Sequence, residues 1–190
     1  MKLKQILIFI CLSFSCIKSF SQSKISHSRA IGINAQIYPA GIISSLSVIQ
    51  KINNHNELNL RLGGNFTNRR NYSAYNDFEK GSGLGSTLGY RRNIELFNGF
   101  LVAGFNVDLW NMWIHWENNR GTINQTTGRT YTLVLQPWLE VGYMFPVKKL
   151  PLKAGLTTGF GREINIVTRG HGVGQGWMNS IALYCQFNIK

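Results

Sequence analysis

Residues 130–145 read TYTLVLQPWLEVGYMF, and their alternation decides the fold. Tyr131, Leu133, Leu135, Pro137, Leu139, Val141, Tyr143 and Phe145 fall on one side of an extended chain, with Thr132, Val134, Gln136, Trp138, Glu140 and Gly142 on the other. A period of two is that of a β-strand, whose successive side chains point to opposite faces. One face is apolar and the other mostly polar, so the two sides meet different surroundings. Pro137 lacks an N–H for a neighbouring strand, which predicts a bulge or a missing ladder bond there.

The same alternation recurs on both sides of this stretch. Ile31, Ile33, Ala35 and Ile37 alternate with Gly32, Asn34 and Gln36, and Leu58, Leu60, Leu62, Gly64 and Phe66 alternate with Asn59, Arg61, Gly63 and Asn65. The whole pattern predicts eight strands at 29–38, 42–52, 57–68, 84–92, 100–116, 130–145, 152–167 and 177–189. In 42–52 the phase stays open, because Ser, Ile, Leu and Val occupy both faces. Short connections alternate with the longer polar stretches 69–82, 117–129 and 168–176, and only the turn at Pro39-Ala40-Gly41 breaks that rhythm.

Of the 190 residues, 15% are charged, below the average of about 25% for soluble domains. Gly numbers 20 and aromatic residues make up 12%, a pairing suited to an all-β chain. At the start, Lys2 and Lys4 precede the apolar run 6–14, and Ser19-Phe20-Ser21 supplies small residues before Gln22. This predicts a signal peptide at 1–21 and one barrel domain at 22–190. Lipoprotein processing before Cys16 is the alternative. Beyond the leader no stretch reaches the ~18 apolar residues of a membrane helix, so any membrane crossing is by strands.

Cys11 and Cys16 lie in the leader, which leaves Cys185 alone and rules out an internal disulfide or a cysteine metal site in the processed chain. No His, Asp or Glu cluster has metal spacing, and no cofactor motif is present. Losing Lys2, Lys4 and Lys18 lowers the formal charge from +12 to +9. For an exported chain the matching partners are outer-membrane lipid and lipopolysaccharide, with an envelope protein as a further partner, and not nucleic acid.

A soluble barrel with an apolar ligand cavity would alternate just as well. Three features favour lipid outside. The polar face is made of Gly, Thr, Ser and Asn, as at Gly85-Thr87-Gly89 and Gly155-Thr157-Gly159, which suits the crowded interior of eight strands. Aromatic residues gather at strand ends, with Trp113, Trp116, Tyr131 and Trp177 at one end and Phe97, Phe100, Tyr143, Phe145 and Phe187 at the other, as two interfacial girdles would require. Finally, Glu57, Arg61, Arg91, Asp108, Glu140, Lys153 and Glu163 all share the polar phase. These seven are expected to form a polar network that fills the lumen, Glu140 pairing with Arg61 or Arg91, since buried charges need partners. Arg162 falls on the apolar phase and has to sit above the hydrocarbon.

The leader, the eight alternating strands and a last strand ending near Tyr184-Cys185-Gln186-Phe187 resemble the small outer-membrane β-barrel proteins of diderm bacteria, the class of OmpX-like and OmpA-like barrels. The chain departs from them in ending Phe187-Asn188-Ile189-Lys190, not on an aromatic residue. The resemblance implies an eight-stranded antiparallel up-and-down transmembrane barrel of porin-like build in the outer membrane, with both termini periplasmic. The expected role is non-enzymatic, in surface binding, adhesion or envelope integrity, and the basic and aromatic residues of the polar loops supply the extracellular candidates Arg69, Arg70, Tyr72, Tyr75, Arg120, Arg129, Arg169 and His171. Lys80 and Phe78 extend that set toward phosphate and sugar. The competing reading is a lipid-modifying barrel enzyme using His115, His171, Ser180 and Glu163 in acyl transfer, residues that share no local motif.

Overall fold

A computed structural model describes residues 29–71, 75–147 and 150–189. The leader, Cys16 and Tyr72 lie outside the described residues. The chain forms β1 (Arg29–Tyr38), β2 (Gly41–Lys51), β3 (Asn56–Arg70), β4 (Phe78–Leu96), β5 (Gly99–Asn118), β6 (Thr126–Val147), β7 (Leu152–Arg169) and β8 (Gly176–Ile189). Each strand pairs antiparallel with the next, and β8 pairs back onto β1, so the sheet closes into a barrel. Closure leaves the membrane-spanning part of the sheet without an unpaired edge, which strands in hydrocarbon require.

The register shows how steeply the strands tilt. Followed from strand to strand, Arg29 lies level with Gln50, then Leu58, Tyr90, Phe105, Leu139, Phe160 and Asn179. Ile181 pairs with Ile37, so the path returns to β1 near Pro39, at the opposite end from Arg29. A stagger of that size accompanies a strand tilt of roughly 35–45° and leaves an interior just wide enough for side chains.

The faces are inverted relative to a soluble protein. Leu46, Leu62, Leu84, Leu88, Leu139 and Leu183 point outward and are 62% to 68% exposed, whereas Arg61, Arg91, Asn59, Asn106 and Gln136 are buried. Such an outside is a surface for lipid. The phase of β2 is now settled: Ile43, Ser45, Ser47 and Ile49 point in, and Ile42, Leu46 and Val48 point out. Among the described residues no helix is long and apolar enough to cross a membrane.

Several expectations need correction. The strands run further outward than the alternation suggested: β3 continues to Arg70, β4 begins at Phe78 and β6 at Thr126. At this end both faces are polar, so composition could not mark the boundary. Phe100 and Trp116 are not girdle residues, because the even positions of β5 face inward and both side chains pack against buried clusters. Trp113, Tyr143, Phe145, Trp177 and Phe187 do lie on the outward phase. Arg162 is also outward, with its guanidinium 5.5 Å from the Trp177 ring. Around Pro137 the β6–β7 pairing passes from Leu135↔Ile164 to Trp138↔Gly161 without pairs between, and the register shifts at Leu133/Val134, placing the irregularity slightly outward of the proline.

Candidate functional site

The lumen is filled by polar side chains in two distinct assemblies, one in the half nearer the chain termini and one at the opposite mouth. In the first, Arg91 of β4 and Glu140 of β6 both neighbour Gly104 of β5 in register. A Cβ at position 104 would stand 3.1 Å from Arg91 Cγ, so glycine leaves the room in which the two charges meet. Arg91 Nη2 donates to Glu140 Oε1 at 2.7 Å, and Asn106 Nδ2 donates to the other carboxylate oxygen at 2.8 Å. Arg61 donates to Asn106 Oδ1 at 2.6 Å and to the Tyr184 hydroxyl at 2.7 Å. The Arg91 guanidinium lies 4.2 Å from the Tyr184 ring centroid, and that of Arg61 lies 5.1 Å from the Trp138 ring. Removing three charges from water is partly offset here because hydrogen bonds and π faces meet both cations.

Toward the mouth, Trp138 Nε1 donates to Asp108 Oδ1 at 3.0 Å and Trp110 Nε1 donates to Gln136 Oε1 at 3.0 Å. Above these, Arg69 Nε meets Glu79 Oε2 at 2.6 Å and Arg69 Nη1 meets Glu163 Oε1 at 3.2 Å. The connection at 170–175 folds into this assembly. Gly174 N donates to Glu79 Oε1 at 2.9 Å while its carbonyl accepts from Arg69 Nη2 at 2.7 Å, and Asn76 Nδ2 bridges Glu79 Oε1 and Gly172 O. Beside it the Val173 side chain is buried among Tyr38, Ile43, Trp110, Met112, Val134 and Met178. The mouth is therefore closed by an apolar cluster together with an ion-paired clamp on a loop backbone.

Among solved structures, a major outer membrane protein of Thermus thermophilus superposes with a TM-score of 0.57 at 10% identity, covering 87% of this chain and 100% of that one. Neisserial surface protein A superposes with a TM-score of 0.52 at 6% identity, covering 85% of this chain and 96% of that one. The fold is that of the outer-membrane β-barrels. No protein-family model matches the sequence, and no curated protein matches it.

Within this outer-membrane barrel fold the sequence candidates divide. Arg61, Arg91 and Glu140 come together in one assembly, Glu163 belongs to the other, and Asp108 lies between them against Trp138. Glu57 is buried, level with Lys51 and Arg91 in register. Lys153 is not brought into the ion pairs; its ammonium sits 3.7 Å from the Phe100 ring centroid near the end of the lumen, because β7 begins only one residue earlier.

The loop candidates fare differently. Arg69 is not an extracellular loop residue: it lies within β3, points inward and is buried in the clamp. Arg70, Arg129 and Arg169 are likewise in strands, on the outward phase. Arg120 stays in a loop, held 3.1 Å from Glu117 and 4.8 Å from the Phe78 ring centroid. Tyr75 packs near Gly172, and the exposed His171 ring stands 4.6 Å from that of Trp116. His115 points outward from β5 while Ser180 points into the lumen from β8, so these two cannot form a nucleophile and base pair.

Glu79, Asn76, Asn106, Tyr184 and Val173 were missed by sequence reasoning. For Glu79 a signal existed: Phe78, Lys80, Ser82 and Leu84 continue the outward phase of β4 and leave Glu79 opposite Arg69 on the inner one. Nothing local distinguished Val173 in its glycine-rich loop.

Proposed function

We propose that this chain is a non-enzymatic outer-membrane barrel with a side-chain-plugged lumen and periplasmic termini, which uses its outer rim for surface binding, adhesion or envelope integrity. The observation that carries this reading is the infolded 170–175 connection, tied through Gly174 to Arg69 and Glu79 and sealed by Val173. With eight strands the interior has room for little more than such side chains, so transport through the lumen is disfavoured and the work falls to the surface. The long hairpins β3–β4, β5–β6 and β7–β8 lie at the end opposite the termini, which supports placing that end outside the cell.

The test combines three measurements. Outer-membrane extracts should show heat-modifiable migration, and recovery from the soluble periplasm would overturn the assignment. Planar bilayers carrying the purified protein should show no steady conductance. The lipid A acyl pattern should be the same with and without the protein; a changed pattern would move the reading to a lipid-modifying enzyme.

A further inference from the structure

We propose that the outward surface of the barrel holds a phosphorylated glycolipid of the surrounding leaflet, its phosphate clamped by Lys80, His115 and Arg129 above an apolar groove. This deepens the outer-membrane reading and rests on it. Lys80 of β4 lies level with His115 of β5, and His115 with Arg129 of β6, so the three side chains form one cross-strand row on the outward phase. Directly opposed neighbours in a sheet have Cβ atoms about 5 Å apart, so the His115 ring stands between the Lys80 and Arg129 cations and an anion bound over it would meet all three.

None of the ion pairs among the described residues involves Lys80 or Arg129, while Glu79, Glu140 and Glu163 are turned inward and engaged there. His115 Nε2 reaches Glu117 only at 3.8 Å. The charge of this row is thus directed at something outside the barrel.

What lies beneath the row identifies the ligand as a lipid. One step toward the membrane, Phe66, Ser82, Trp113 and Tyr131 form the adjacent row, with Ile42 beside Phe66. The two rows and the β1–β2 turn at Pro39 line an open groove of about 1140 Å³. The next row toward the membrane is Leu84, Asn111 and Leu133, and Leu84 is fully outward in the lipid-facing band. Ser82 is the small residue between Phe66 and Trp113, leaving a channel for an acyl chain, and the Trp113 and Tyr131 rings, 5.7 Å apart, form an amphipathic wall of the kind favoured at headgroup height. A soluble anion would use the cations and ignore the floor; a phosphorylated glycolipid uses both. Arginine and lysine together suit a phosphate monoester, which accepts charge-assisted hydrogen bonds from each.

The experiment places the purified protein in phosphatidylcholine nanodiscs containing diphosphorylated lipid A and reads retained lipid by native mass spectrometry. The wild-type protein should carry lipid A, and Lys80→Gln/Arg129→Gln should lower its occupancy by about tenfold or more, the size expected for losing hydrogen bonds to a charged group. Dephosphorylated lipid A should be retained as poorly by the wild type, and millimolar inorganic phosphate should not displace the intact lipid. Arg70→Gln/Arg162→Gln, which removes the same charge from outward positions outside the groove, should leave occupancy unchanged. Equal retention by the groove variant, equal loss in the rim variant, equal binding of the dephosphorylated lipid, or displacement by inorganic phosphate would each overturn the clamp. Heat-modifiable migration of the variants confirms that they fold. A wild-type protein that fails to enter the nanodisc defeats the outer-membrane reading itself, whereas one that inserts without holding lipid A defeats only this proposal.

Discussion

The two ion-paired assemblies of the lumen are built differently. Around Arg91 and Glu140 every partner is a strand side chain, held in place by register and by the absence of a side chain at Gly104. Around Arg69 and Glu79 the partners include backbone groups of the 170–175 connection. The first assembly can be lost only with the barrel, whereas the second can open by moving one loop. The inner network thus belongs to folding and the mouth clamp to closure.

Breaking the inner assembly should have the largest effect. Arg91→Ala strands the Glu140 carboxylate inside the lumen and is expected to cost about 3–5 kcal/mol, the range for removing one partner of a buried pair. Equilibrium unfolding from detergent micelles would measure it, and a paired replacement, Arg91→Met with Glu140→Leu, should recover much of the loss. A loss as small as that of the mouth variants would remove the distinction between the assemblies.

Next comes the contrast between the faces of β6. Leu139→Arg, pointing outward at membrane depth, should cost roughly 2–4 kcal/mol and reduce the heat-modifiable fraction. Gln136→Arg, pointing into the lumen beside Glu163, should be milder. Equal tolerance at both positions would mean that the faces are reversed.

At the mouth, Glu79→Ala removes the acceptor shared by Arg69, Asn76 and Gly174. Its expected cost is about 1–3 kcal/mol, because Arg69 keeps Glu163 as an ion-pair partner. The informative readout is protease cleavage within 170–175 while heat-modifiable migration is retained. The smallest effect belongs to Arg70→Ala on the outward rim, where the contact with Phe78 at 5.9 Å is worth about 0.5–1 kcal/mol.

How much of this could be read from the chain depended on whether a feature is periodic. Strand count, the direction of the apolar face and the inward position of Glu57, Arg61, Arg91, Asp108, Glu140 and Glu163 follow from alternation alone, a local property imposed on every strand by the bilayer. The phase of β2 did not, because serines and aliphatics occur on both sides of it. Arg69 was misassigned for a related reason: beyond the membrane both faces of β3 are polar, and the alternation that marks a strand fades although the strand continues.

Alternation along the chain is therefore enough to specify the barrel and the solvent on each side of it. Which inner residues meet across non-adjacent strands depends on the closed sheet. Arg91 finds Glu140, and Arg69 finds Glu163, through the stagger of strands around the ring, a quantity that closure of the sheet sets and no single strand contains. The infolding of 170–175 was equally out of reach, since Val173 becomes part of a buried cluster only after β1, β2, β5, β6 and β8 have brought its neighbours together.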